Sequence, residues 1–90
     1  MKKFENVIIT KASLTNEEIE SLKINITKIV NVYDIEDKGI KTLAYTVKGE
    51  TQGHFIIFYL RENKENIEQL EKYYRLNDNI LKFITIKIED

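Results

Sequence analysis

Residues 53–61 read GHFIIFYLR, the most apolar run in the chain. Alternate residues of a strand point to opposite faces. The run therefore divides into His54, Ile56, Phe58, Leu60 and Phe55, Ile57, Tyr59, Arg61. Both sets are apolar, so one must meet helices while the other faces solvent or a partner. The set ending in Arg61 is assigned to the outer face, because a guanidinium belongs in water. Phe55, Ile57 and Tyr59 then make an apolar outer patch. Such a patch marks an interaction surface unless the chain's own loops or C-terminus cover it.

Working outward from this strand, KGETQG (48–53) reads as a loop between antiparallel strands, with Gly49 and Gly53 at its ends. Before it lies a long strand over about 31–48, bent at Asp37-Lys38-Gly39, where glycine permits a bulge. FENVIIT (4–10) is a first, β-branched strand. Between the two, Thr15 and Glu18 form a capping box, and Glu17 and Glu18 suit the positive end of a helix dipole. Ile19, Leu22, Ile26, Ile29 and Val30 make one apolar stripe of a helix. Lacking a glycine C-cap, that helix either runs to about residue 29 with a very short connection, the reading adopted, or frays near Asn25. Downstream, Asn63 is the N-cap of KENIEQLEKYYRL, whose stripe is Ile67, Leu70, Tyr73 and Tyr74. LNDN ends that helix, and ILKFITIKI (80–88) is the last strand.

The order is β-α-β-β-α-β, an α+β, ferredoxin-like arrangement. It predicts a four-stranded antiparallel sheet with two helices on one face and the other face open. Ninety residues without proline and with only three glycines predict a single domain over 1–90, with no internal linker.

Composition narrows the function. Hydrophobic residues make up 42% of the chain, enough for an ordinary globular core and too much for disorder. The lack of cysteine rules out disulfides and thiolate chemistry and suits a reducing, cytoplasmic setting. Glu5 and Asn6 interrupt the first apolar run before it resembles a signal sequence, and no stretch approaches a membrane span of about 18 residues. Fourteen basic residues oppose fifteen acidic ones, a formal charge of −1. Any nucleic-acid role must therefore rest on a local basic patch, with a partner sharing the work.

Signs of catalysis are missing. His54 is the only histidine and reads as structural, since acid–base work needs an oriented partner. One histidine without cysteine builds no ordinary metal site. Glu17, Glu18, Glu20, Glu62, Glu65, Glu68 and Glu71 read as caps and solvated helix surface. There is no glycine-rich phosphate loop, so no cofactor is expected, and no polar set that would hold a small-molecule substrate. Acylphosphatases share this strand order, but their phosphate loop and arginine have no counterpart in ITKASLT. The RNA-recognition motif shares it too, yet Gln52-Gly53-His54-Phe55-Ile56 lacks that motif's basic and small residues. The chain is not expected to be an enzyme.

One further stretch carries more specific information. DKGIKTLAYTV (37–47) resembles the DWGKRKLAYPI segment of the bacterial small-subunit ribosomal protein S six family. The opening KKFENVIIT is similar to that family's R-x-Y-E start, with Lys2, Phe4 and Glu5 in register. LTNEEIESL is similar to its first helix, TQGHFIIFYL to its Gly-Tyr-Tyr strand, and IEQLEKYYRLNDNILKFITIK to its ending. The likeness covers essentially the whole chain.

The resemblance implies the ferredoxin-like fold, no enzymatic activity, and binding to the central domain of small-subunit ribosomal RNA together with ribosomal protein S eighteen. Carried over by position, it implies RNA-binding roles for Lys2, Lys41, Arg75 and Lys82, each of which also reads as an ordinary solvated charge. Phe55 and Ile57, with Tyr59 on the same face, become candidate protein-partner contacts. Lys38 and Thr46 replace a common tryptophan and proline, and Ile40 and Thr42 stand where basic residues are frequent. About five residues are missing between the first helix and second strand, and some members' acidic C-terminal extension has no counterpart. A shortened, non-ribosomal paralogue acting as a protein-interaction module is the alternative.

Overall fold

The structure, a computed structural model, describes residues 1–89. In chain order the elements are β1 (Lys2–Lys11), α1 (Asn16–Ile29), β2 (Val32–Val47), β3 (Glu50–Glu62), α2 (Lys64–Leu76) and β4 (Ile80–Glu89). The strands form one antiparallel sheet in the order β2-β3-β1-β4. This is the expected ferredoxin-like arrangement.

Its layering follows from the alternation along the strands. Phe4 and Ile8 of β1, with Ile56, Phe58 and Leu60 of β3, point to the helix side and are buried. Ile19, Leu22 and Ile26 of α1 and Ile67, Leu70 and Tyr74 of α2 close over them. The set of β3 that ends in Arg61 faces outward, as its arginine requires. Tyr73 lies at the margin of the core and Tyr74 within it.

Polar groups inside are matched. The Tyr74 hydroxyl donates to Asn6 Oδ1, and Asn6 Nδ2 donates to Thr85 Oγ1 at 2.9 Å. This ties α2 to the two strands beneath it. Burial pushes the Tyr74 phenol far above its ordinary pKa, so it serves as a neutral donor. An unpaired amide at Asn6 would be costly here, and the pairing makes one docking of α2 preferable to a slid one.

The helix starts are capped as expected. Glu18 N–H donates to Thr15 Oγ1 at 3.1 Å, and Thr15 N–H donates to Glu18 Oε1 at 2.9 Å. Asn66 N–H donates to Asn63 Oδ1 at 3.0 Å. The α1 helix reaches Ile29, and the backbone turns directly into extended conformation at Val30 without a glycine cap.

Beside the second cap, Glu62 is buried and accepts from Asn31 N–H at 3.0 Å, Asn63 N–H at 2.9 Å and Asn66 Nδ2 at 2.9 Å. One carboxylate thus joins the end of β3, the start of α2 and the approach to β2.

The register of the long β2–β3 ribbon slips at three places, between Val32 and Asp34, Asp37 and Gly39, and Thr42 and Val47, and two local features shape it most. The register slips between Asp37 and Gly39, and Gly39 has a φ of +77°. Asp37 Oδ1 accepts from Gly39 N–H at 2.8 Å and meets His54 Nε2 at 2.7 Å. Burial alone would raise the Asp37 carboxyl, but the His54 ring and the Gly39 N–H outweigh it and hold it below its usual range. His54 is therefore a structural tie across the bulge.

The second feature corrects the sequence expectation for 48–53. The strands continue to Val47 and from Glu50, leaving only Lys48 and Gly49 as a turn, with φ of +51° and +80°. Two successive positive φ values match the twist of a hairpin, so a lysine accepts the left-handed region there. Gly53 is accordingly inside β3, not at a loop end.

Glu62 provides a test of this scaffold. Burial would raise its carboxyl, but the N–H groups of Asn63, Asn66 and Asn31 outweigh that and lower it. A lowered carboxylate contributes stability above the unfolded value near 4.5 and loses it as pH falls through the folded value. Glu62→Gln should cost about 1–2 kcal/mol at pH 7, roughly 4–16 °C in Tm. Melting curves from pH 7 to 3 should show the gap closing toward acid, whereas a pH-independent gap would contradict this role.

Candidate nucleic-acid and partner face

The register places side chains of the open face in rows across the sheet. Glu36, Ile57, Val7 and Ile84 form one row, and Asp34, Tyr59, Glu5 and Ile86 the next. Toward the hairpin comes the row Gly39, Phe55, Ile9, Lys82, and beyond it Lys41, Gly53 and Lys11. The middle of the face is apolar, with Ile84 and Ile86 about half exposed.

Phe55, Ile57 and Tyr59 all lie on this face, each partly shielded by its neighbours. The Tyr59 hydroxyl donates to Glu36 Oε1 at 2.9 Å, and that bond pushes its pKa up to about 12. Lys38 Nζ lies 2.8 Å from Glu36 Oε2, and together Lys38 and Tyr59 hold the Glu36 carboxyl below its usual range. The acid is thus neutralised within the sheet. At this far end Tyr33 packs 6.3 Å from the Tyr59 ring, with Lys3 Nζ and Arg61 Cζ 5.9 and 5.6 Å from its own centroid.

At the other end the β2–β3 hairpin curls over the face. A Cβ on Gly53 would lie 2.4 Å from Ile9 Cγ2 and 3.3 Å from Thr10 O, so only glycine lets β1 and β3 approach with Ile9 in that rotamer. Leu43 Cδ2 lies 3.5 Å from the same point. Leu43, Ala44, Tyr45 and Val47 therefore form an arm above Ile9 and Phe55, enclosing with Lys82 a cleft of about 170 Å³. At the tip, Lys48 Nζ donates to Ile80 O at 3.3 Å, reaching past the end of β1 to β4.

This geometry sorts the sequence-predicted basic residues. Lys41 and Lys82 come together on the open face. Lys41 Nζ stands 5.6 Å from the Phe55 ring centroid, and Lys82 pairs with Ile9, the neighbour of Phe55. Lys2 lies at the opposite end of β1, in a cleft with Lys64 and Lys87 on the helix side. Arg75 is on α2, 3.8 Å from Glu71 and stacked toward Phe83. The four residues do not form one patch.

Two lysines that sequence reasoning passed over do join Lys41 and Lys82. Lys11 shares the Gly53 row, and Lys48 occupies the turn. Among the described residues none of Lys11, Lys41, Lys48 and Lys82 has a carboxylate within ion-pair distance, whereas Lys23 and Lys38 do. The available signal was strand parity, since Lys11 follows Val7 and Ile9 at steps of two.

Among the described residues no group of three or more His, Asp or Glu side chains is placed to hold a metal ion, and no helix is long and apolar enough to cross a membrane.

A four-stranded sheet backed by helices, with an apolar front rimmed by lysines, defines a binding domain whose front is the working surface. The family described as Ribosomal protein S6 matches residues 3–87. The small ribosomal subunit protein bS6 of Helicobacter pylori (strain Shi470) is 37% identical over 94 residues, which cover 99% of this chain and 66% of that protein. Its counterpart in Granulibacter bethesdensis is 28% identical over 95 residues, with coverage of 100% and 62%. The crystal structure of 30S ribosomal protein S6 from Thermotoga maritima superposes with a TM-score of 0.88 at 25% identity, covering 97% of this chain and 87% of that one. The chain belongs to the ribosomal protein S6 family. It spans about two thirds of the length of the curated relatives it matches.

The seat of the arm is open to mutation. Gly53→Ala should cost about 1–3 kcal/mol, because the branched Ile9 side chain has little freedom to move aside. Adding Ile9→Ala removes the clash, so the double variant should be more stable than the sum of the single effects. Strict additivity in a denaturation cycle would show that the contact does not set the register.

Proposed function

We propose that the chain is a structural component of the small ribosomal subunit, a cytoplasmic particle, that binds the central domain of its RNA in company with ribosomal protein S eighteen. Family membership supports the ribosomal part of this reading. The single observation that supports RNA contact is the cluster of Lys11, Lys41, Lys48 and Lys82, cations with no carboxylate against them on one end of an open sheet.

Phosphate contacts position a protein on RNA without reading its sequence, and mobile lysines suit that task. With a net charge of −1, the chain gains little from long-range attraction, so a basic partner supplies much of the phosphate neutralisation. Phe55, Ile57 and Tyr59, in the apolar middle of the same face, are the proposed seat of that partner. Lys2 and Arg75 lie away from the cluster and would meet RNA only along a separate segment.

Replacing both Lys41 and Lys82 by Glu should weaken binding to a central-domain RNA fragment. The plot of log affinity against log salt should become shallower by about two. Both side chains are exposed, so Tm should stay within about 0.5 kcal/mol equivalent of the parent. Unchanged affinity and slope in a filter-binding titration would overturn the assignment.

A further inference from the structure

Tyr45 is 69% exposed, the most exposed tyrosine of the chain, and stands on the hairpin arm beside Lys82. Among the described residues its ring pairs with no other ring, no cation is stacked on its face, and its hydroxyl makes no hydrogen bond. Every other tyrosine is engaged: Tyr33 and Tyr59 with each other, Tyr73 with Tyr74, and Tyr74 also with Phe83. Tyr45 lies in the stretch of β2 between Thr42 and Val47 where the ladder to β3 is interrupted, and an amphipathic ring left in water there is a poor use of apolar surface unless something covers it.

The surroundings indicate what would cover it. Lys48 lies at the tip of the same arm, Lys82 in the cleft beneath it, and Lys41 and Lys11 in the adjoining row. Glu50 is the nearest acid along the ribbon, opposite Val47, and it pairs with none of these lysines. A flat ring among unopposed cations matches an unpaired nucleotide, whose base stacks while its flanking phosphates meet ammonium groups. Duplex RNA offers phosphates but no free base face.

We infer that the hairpin arm is a nucleotide clamp, with Tyr45 stacking on an unpaired base and Lys48 and Lys11 extending the phosphate contacts of Lys41 and Lys82. The inference rests on the RNA-binding reading above and deepens it. It makes the contact selective for a loop or bulge. It also gives the turn lysine a use beyond its bond to Ile80, and it explains why Lys11 stays clear of acids.

The test compares a central-domain RNA fragment containing its loops and bulges with a fully paired RNA of equal length. Both are titrated with the intact chain together with ribosomal protein S eighteen from the same host. Tyr45→Ala should weaken binding to the looped RNA by about 5- to 150-fold and leave the paired RNA unaffected. Tyr45→Phe should restore parental affinity, and Lys11→Glu with Lys48→Glu should make the salt slope shallower by about two. If Tyr45→Ala binds like the parent while Lys41→Glu with Lys82→Glu does not, the clamp is overturned and the RNA-binding reading stands. Equal losses on looped and paired RNA also overturn it. No binding by the parent chain to either RNA removes both.

Discussion

The missing side chain at Gly53 is the constraint on which the working face depends. Ile9 Cγ2 occupies the space where a Cβ would be, and Leu43 closes over the same point from above. Because no side chain stands at Gly53, Ile9 and Leu43 can both pack over it, and the β2–β3 hairpin lies against the open face there. That placement brings Lys48 to Ile80, encloses the cleft beneath Leu43 and Tyr45, and leaves Lys41 and Lys11 flanking a position with no side chain. A larger residue would press on the Ile9 side chain, which being β-branched cannot easily rotate away.

The electrostatics of the molecule follow from how its charges are distributed, not from their sum. Six of the fifteen acidic residues lie on the helices, where Glu18 caps α1 and Glu71 approaches Arg75. On the open face Glu36 is held by Lys38 and the Tyr59 hydroxyl, which removes an anion from the sheet's centre. Exposed ion pairs contribute little to stability, typically 0–1 kcal/mol. The lysines at the hairpin end therefore forgo little by standing unopposed, and their charge stays available to a ligand. A nearly neutral chain can in this way present a positive surface locally.

Much of the fold was legible in the residues because local and tertiary preferences agree. The Thr15–Glu18 box, the Asn63 cap and the apolar stripes of both helices point to the same elements that form. Arg61 correctly identified the outer face of β3, since a cation has one acceptable side. KGETQG misled because its glycines and polar residues have loop composition, while the tight turn depends on Lys48 accepting a left-handed backbone. Asn6 looked like an interruption in a strand, yet it is buried, and its partners Tyr74 and Thr85 are distant in sequence. Lys11 and Lys48 escaped notice for a similar reason. Lys11 comes beside Lys41 through the pairing of β1 and β2 with Gly53, and Lys48 through the hairpin tip reaching Ile80, and both are tertiary contacts. Lys2 and Arg75 were carried over by position alone, and position does not reveal that they occupy other sides of the molecule.

The central claim is that this chain works within the small ribosomal subunit. The most direct measurement is sedimentation of the tagged chain, expressed in its own host, through a gradient at moderate salt. The account predicts that it migrates with small subunits and leaves them only as salt rises, because the RNA contacts proposed for it are mainly to phosphate. Retention at the top of the gradient, while intact subunits run below, would contradict it. The likeness to ribosomal relatives would then be one of ancestry alone.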